Sequence, residues 1–145
     1  MSTRRALSVI LQTSPFDCGP VSLAIVLKYF GKRTSVERLR RETELGSTGT
    51  NAACLLHAAR LYGLRGVAIR LTPNEVLDLP PATILHWGTR HFVVMESACR
   101  DSVELIDPSR GRRTIGLVEL GRRFGGVALV FTSSRRSAPE RRAPK

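Results

Sequence analysis

Apolar residues form one dense run in the first half of the chain and shorter segments mixed with polar residues in the second half. The run VSLAIVLKYF follows Cys18-Gly19-Pro20 and stops at Gly31. Proline is well tolerated in the first turn of a helix, and glycine is common just after its end. The pattern therefore predicts a buried helix that begins at Cys18.

Two shorter helices are predicted downstream from their capping residues. The segment TSVE, from Thr34 to Glu37, has the form of a capping box and predicts a helix that runs to about Arg41. Asn51 is a suitable N-cap for a third helix with apolar residues along it, which Gly63 would end. The first half of the chain is therefore predicted to be helical.

The second half has the short, alternating apolar segments that are typical of strands. Strands are predicted at residues 67–71, 82–87, 91–96 and 103–106, edge strands at 113–115 and 127–131, and short helices at 73–77 and 118–124. Helices followed by an antiparallel sheet define an α+β fold.

Size and composition indicate one globular domain in a reducing compartment. The 145 residues are 42% hydrophobic, and no apolar run approaches the roughly 18 residues that span a bilayer. The three cysteines, Cys18, Cys54 and Cys99, form no paired spacing, which argues against a disulfide framework. No metal site and no cofactor are predicted. We expect the chain to be cytoplasmic.

The formal charge of +11 is concentrated toward the two ends of the chain. The central part lacks a helix of clustered basic residues or a basic groove with aromatics, so nucleic acid is not an expected partner. Two meanings of the charge stay open. It is a solvated basic surface, or it attracts an acidic peptide or an anionic lipid surface.

Cys18 is a candidate nucleophile because it lies at the start of a predicted helix. The positive end of the helix dipole stabilises a thiolate, which is the reactive form of cysteine. The alternative is a small buried apolar side chain. Gln12, six residues upstream, is a candidate oxyanion donor together with the backbone N–H of Cys18. Taken alone, Gln12 is equally explained as a surface polar residue.

His91 and Asp107 are candidates for the base and for the group that orients it. His91 begins one predicted strand and Asp107 ends the next, so antiparallel pairing brings the two side chains together. Asp107 is then expected to accept the Nδ1–H of His91. A structural histidine and a plain Asp-Pro turn are the alternatives.

These residues belong to a longer ordered pattern that resembles a known family. The pattern comprises Leu11-Gln12, Asp17-Cys18-Gly19-Pro20, His86-Trp87 before His91-Phe92-Val93-Val94, and Asp107-Pro108. It resembles the double-glycine leader peptidase domain, the bacteriocin-processing cysteine peptidase found at the N-terminus of peptidase-containing ABC transporters.

The resemblance implies a papain-like fold and cleavage of a peptide leader after Gly-Gly or Gly-Ala. It implies that Cys18 is the nucleophile, His91 the base, Asp107 the orienting acid and Gln12 the oxyanion donor. Of the neighbouring residues, Asp17 is expected to be structural or to tune the thiol, His86 to be a scaffold contact, and Trp87 to pack beside the site.

The resemblance also implies partners and a location. They are a precursor peptide with a helical leader, and the membrane and ATPase domains of an ABC transporter, in cis or in trans. The expected place is the cytoplasmic face of the inner or plasma membrane. Residues 1–10 are predicted to be an N-terminal extension, 11–132 the peptidase domain and 133–145 a flexible basic tail or linker. An idle leader-docking domain is the alternative function.

Overall fold

The computed structural model describes residues 6–43 and 50–133. Within them, three helices precede the first strand and two short helices lie between later strands. The helices are α1 (Cys18–Tyr29), α2 (Val36–Glu42), α3 (Ala52–Arg60), α4 (Pro73–Val76) and α5 (Leu117–Arg123). The strands are β1 (Leu64–Arg70), β2 (Thr83–Trp87), β3 (His91–Ala98), β4 (Ser102–Asp107), β5 (Gly111–Gly116) and β6 (Phe124–Ser133).

The six strands form one sheet in the order β1-β6-β2-β3-β4-β5, with every neighbouring pair antiparallel. The prediction of β5 as an edge strand is confirmed, but the same prediction for residues 127–131 is wrong. They belong to β6, which lies between β1 and β2. Ala128 and Leu129 are both buried, although neighbouring residues of a strand point to opposite faces. Burial on both faces is typical of an interior strand.

The two faces of the sheet support two separate cores. Leu129 packs in the core that also contains α1, α2 and α3, whereas Ala128 packs in the core that contains α4 and α5. In α1 every residue from Cys18 to Leu27 is buried, so this helix is enclosed by the sheet and the other two helices. Enclosure explains why its sequence is apolar on all sides rather than along one stripe.

The N-cap of α3 is confirmed and that of α2 is shifted by one residue. Asn51 accepts a hydrogen bond from the Cys54 N–H at 2.9 Å. Ser35, and not Thr34, caps α2 by accepting from the Arg38 N–H at 3.1 Å. The hydroxyl of Thr34 lies instead 2.8 Å from that of Tyr62, which follows α3. A tertiary contact therefore replaces the predicted capping box.

The described part of the predicted N-terminal extension, residues 6–10, lies against the sheet. Leu7 is buried, its N–H donates to Glu96 Oε2 at 2.9 Å, and its carbonyl accepts from Arg112 Nη2 at 2.9 Å. Farther along, the Gln12 N–H donates to the Pro108 carbonyl at 2.8 Å. These bonds hold the segment that leads to α1 beside β3, β5 and the turn that follows β4.

Residues 1–5 of the predicted extension, and the predicted tail beyond Ser133, lie outside the described residues. Among the residues that the structure describes, no helix has both the length and the apolar character needed to cross a bilayer.

Candidate active site

The fold places Cys18 at the first residue of α1, where the sequence predicted it. The side chain is buried, and its Sγ lies 3.7 Å from the carbonyl oxygen of Arg90, which precedes β3. Backbone N–H groups at a helix N-terminus carry partial positive charge, which favours an anionic group at this position. The helix N-terminus therefore favours an anionic sulfur, whereas the Arg90 carbonyl accepts a hydrogen bond from the neutral thiol.

His91, the first residue of β3, lies between Cys18 and Asp107. Its Nε2 is 2.7 Å from Asp107 Oδ1, so the expectation that Nδ1 would face the carboxylate is wrong. β3 and β4 are direct neighbours in the sheet, which brings the ring and the carboxylate together. Since Nε2 is occupied, Nδ1 is the nitrogen left for the hydrogen bond with Cys18.

The surroundings of His91 stabilise its protonated form. Burial disfavours the charge and acts to lower the pKa. The hydrogen bonds to Asp107 and Cys18, together with the negative charge of the same two groups, outweigh burial and raise the pKa of His91 to about 9. A charged imidazolium beside Cys18 in turn stabilises the thiolate.

Asp107 is held ionised by a partner that the sequence analysis missed. Burial acts to raise its pKa, but hydrogen bonds from His91 and Ser109 outweigh burial and lower the pKa of Asp107 to about 2. Ser109 donates twice to Oδ1, from its hydroxyl at 2.7 Å and from its backbone N–H at 2.9 Å. The signal for this bond was the turn sequence Asp-Pro-Ser, because Asp side chains in turns often accept from the backbone two residues on.

Gln12 lies in the loop before α1, and its position is fixed through the backbone bond to Pro108. Its side-chain Nε2 donates to the Ser14 carbonyl at 3.0 Å, while its Oε1 is buried and has no hydrogen-bond partner among the described residues. A side-chain amide has two N–H donors, so one remains for another acceptor.

Asp17 precedes the thiol but has a structural setting. Its buried carboxylate receives three hydrogen bonds from Arg40 at 2.7–3.1 Å, two from Nε and one from Nη2. The same Nη2 also donates to the hydroxyl of Thr13. The ion pair therefore ties α2 to the loop that carries Gln12, and Asp17 makes no side-chain bond to cap α1.

His86 and Trp87 line the two sides of the cleft around Cys18. His86 Nε2 lies 3.1 Å from the Thr89 carbonyl, and its ring packs against Phe92 at 5.6 Å between centroids. Gly125 is needed opposite this ring, because a Cβ there would come within 2.5 Å of His86 Nδ1. Trp87 is buried and borders the side where His91 lies.

Two cavities meet at Cys18 and differ in character. One, of about 450 Å³, has mainly apolar walls that include Phe16, Phe92 and Leu129. The other, of about 440 Å³, contains His91 and Asp107 in its wall. A peptide that passes over the thiol would therefore have one end in each cavity.

Comparison with known proteins gives the family. The model of the Peptidase C39 family matches residues 6–136. Two relatives from Escherichia coli are the probable microcin-H47 secretion/processing ATP-binding protein MchF and the colicin V secretion/processing ATP-binding protein CvaB. MchF is 40% identical over 129 residues (89% of this chain), and CvaB is 38% identical over 126 residues (87% of this chain). This chain spans 18% of the length of each.

A solved structure is similar to this chain in both sequence and fold. The double glycine motif protease from an AMS/PCAT transporter, in complex with a leader peptide, is 34% identical and superimposes with a TM-score of 0.84. The match covers 90% of this chain and 94% of that one. The predicted α+β, papain-like fold and the predicted family resemblance are thereby confirmed, and the chain belongs to the Peptidase C39 family of cysteine peptidases.

Proposed function

We propose that this chain cleaves the leader from a bacteriocin or related ribosomal peptide precursor after a Gly-Gly or Gly-Ala pair, as a step coupled to export by an ABC transporter. The observation that carries the proposal is the continuous contact from Cys18 through His91 to Asp107, with the Nε2–Oδ1 distance at 2.7 Å. This is the arrangement that thiol acyl transfer requires: a nucleophile, a base beside it and a group that orients the base.

In the proposed reaction the Cys18 thiolate attacks the carbonyl carbon of the second glycine. The oxyanion accepts from the Cys18 backbone N–H and from the second Nε2–H of Gln12. Protonated His91 gives its Nδ1 proton to the leaving amine, the C–N bond breaks, and a thioester remains. Water then loses a proton to His91 and attacks the thioester, which releases the leader as a carboxylate and restores the thiolate.

The setting of the thiol supports a preference for glycine before the scissile bond. Cys18 is 7% exposed, and the Arg90 carbonyl lies 3.7 Å from its sulfur. A residue with a Cβ would have to enter beside this carbonyl, whereas a glycine brings only backbone atoms. The narrow approach therefore favours substrates with small residues at this point.

The partners and the location are proposed from the similar proteins. The similar protease was solved with a leader peptide, and both relatives are secretion/processing ATP-binding proteins. We infer that this chain binds a helical leader that ends in Gly-Gly and works with transporter membrane and ATPase domains, in cis or in trans. Its place would then be the cytoplasmic face of the membrane that holds the transporter.

The experiment is incubation of the purified chain with synthetic precursor peptides, followed by mass spectrometry of the products. Cleavage after the second glycine, abolished by Cys18→Ala and kept in Cys99→Ala, is the expected result. Cys99 is the matched control because it is an exposed cysteine just after β3, which begins at His91 and ends at Ala98. Leader binding without cleavage would instead indicate an idle docking domain, and cleavage by Cys18→Ala would refute the mechanism.

A further inference from the structure

The cavity that contains His91 and Asp107 has an unusually basic wall. Four arginines line it, and they come from four different elements of the fold. These are Arg90 in the turn before β3, Arg110 in the turn after β4, Arg113 on β5 and Arg123 at the end of α5. Arg90 lies where the two cavities meet and also lines the apolar one, whereas the other three arginines line the basic cavity alone of the two. Separate parts of the chain thus contribute arginine side chains to one cavity.

Among the residues that the structure describes, few carboxylates neutralise these four arginines. Glu119 lies 3.8 Å from Arg113 and 3.7 Å from Arg123, so one carboxylate serves two arginines. Arg90 and Arg110 form no ion pair with any residue that the structure describes. Asp107 also faces this cavity, but its carboxylate is already bonded to His91 and Ser109.

The chemistry of the site decides which end of a substrate enters the basic cavity. His91 must give its proton to the leaving amine, so the residues after the scissile bond lie on its side. His91 lines the basic cavity and is absent from the wall of the apolar one. The peptide released by cleavage therefore starts in the basic cavity, and the leader lies toward the apolar one.

We propose that Arg90, Arg110, Arg113 and Arg123 form a subsite for acidic side chains in the first few residues of the released peptide. The inference rests on the proposed function, since it concerns the substrate of the same site. Guanidinium groups bind carboxylates through paired hydrogen bonds, and a cleft lined by one sign of charge attracts the opposite sign. Asp or Glu shortly after the Gly-Gly pair is therefore the feature that this wall recognises.

The test compares precursor peptides that share one leader and differ only after Gly-Gly, where they carry Asp and Glu or the neutral isosteres Asn and Gln. The readout is the ratio of kcat/KM for the acidic peptide to that for the neutral one. The ratio is measured for the unaltered chain, for Arg110→Gln and Arg113→Gln, and for the control Arg33→Gln. Arg33 is exposed and follows the C-terminal end of α1, a helix that extends about 18 Å from Cys18.

The unaltered chain should prefer the acidic peptide by about three- to tenfold at about 50 mM salt, as expected for a few partly exposed ion pairs. The preference should approach unity at about 500 mM salt, where charges are screened. Arg110→Gln and Arg113→Gln should each reduce the ratio by about two- to threefold, whereas Arg33→Gln should keep it. A ratio of one in the unaltered chain, or an equal loss in Arg33→Gln, would overturn the subsite.

Failure of the subsite is distinguishable from failure of the proposed function. Cleavage of both peptides after the second glycine at equal kcat/KM overturns the subsite alone. If neither peptide is cleaved, the subsite is tested by measuring the binding of fluorescent acidic and neutral product peptides to the Cys18→Ala variant. Tighter binding of the acidic peptide supports the subsite, and equal binding of the two overturns it. If Arg110→Gln weakens the binding of the chain to phosphatidylglycerol vesicles but not to acidic peptides, the arginine wall contacts lipid and the proposal is wrong.

Discussion

Replacing Asp107 by Asn should shift the alkaline side of the pH–rate profile, because Asp107 supports the charge on His91. In the unaltered chain the protonated ring is required as acid and as partner of the thiolate, so kcat/KM should fall as pH rises through about 9. A hydrogen bond to a charged group is worth about 1.5–3 kcal/mol, and one pKa unit corresponds to about 1.4 kcal/mol. Loss of this bond should therefore lower the pKa of His91 by about 1–2 units.

The assay is kcat/KM for a fluorogenic peptide with a Gly-Gly pair, measured between about pH 5 and pH 10. The alkaline midpoint should move from about 9 to about 7–8 in Asp107→Asn. Asp101→Asn is the matched control, since Asp101 is exposed in the turn between β3 and β4 and should leave the midpoint unchanged. An Asp107→Asn profile with its alkaline midpoint still near 9 would refute the role assigned to the carboxylate.

Three further predictions concern the same contacts. The His91–Asp107 pair stabilises the fold at pH values where both side chains are charged. The contribution of His91 to the free energy of unfolding is complete below its ordinary pKa of 6.5 and is lost as pH rises to about 9. The contribution of Asp107 is complete above its ordinary pKa of 3.8 and is lost as pH falls to about 2. The Tm difference between the unaltered chain and Asp107→Asn should therefore be largest between about pH 4 and 6.5 and shrink on both sides, and a constant difference would contradict the pair. Ser109→Ala removes the 2.7 Å bond to Asp107 and so raises the pKa of Asp107 toward its ordinary value of 3.8. The acid-induced loss of Tm that comes from this carboxylate should therefore be smaller and be complete at higher pH, and kcat/KM should drop by about three- to tenfold, with recovery in Ser109→Thr, which keeps a hydroxyl. Arg40→Gln leaves the buried carboxylate of Asp17 without its ion pair and should lower Tm measurably in a thermal unfolding scan, and an unchanged Tm would show that Arg40 does not hold the loop.

Local features of the fold were predictable from the sequence because neighbouring residues determine them. The start of α1 at Cys18 follows from Gly-Pro in its first turn, and the cap of α3 follows from Asn51. The contact of His91 with Asp107 was also predictable, since both lie at the facing ends of consecutive strands that pair as a hairpin. Short-range pairing of this kind needs no knowledge of the remaining sheet.

Other features depend on contacts between distant residues, which no local pattern reveals. The position of β6 between β1 and β2 depends on long connections, so an apolar segment near the end of the chain was mistaken for an edge. The ring nitrogen that faces Asp107 depends on how β3 and α1 approach each other, which also explains the error at His91. The basic wall was not foreseen because its arginines are up to 33 positions apart in sequence, from Arg90 to Arg123.

The central claim is that Cys18 attacks the carbonyl carbon of the second glycine in the Gly-Gly pair of a bound leader. The most direct measurement uses a leader peptide whose second glycine ends in a chloromethyl ketone, which alkylates a nucleophilic thiol. Peptide mapping by mass spectrometry then locates the label among the three cysteines of the chain. The account predicts one leader per chain on Cys18, whereas a label on Cys54 or Cys99 with Cys18 unmodified would contradict it.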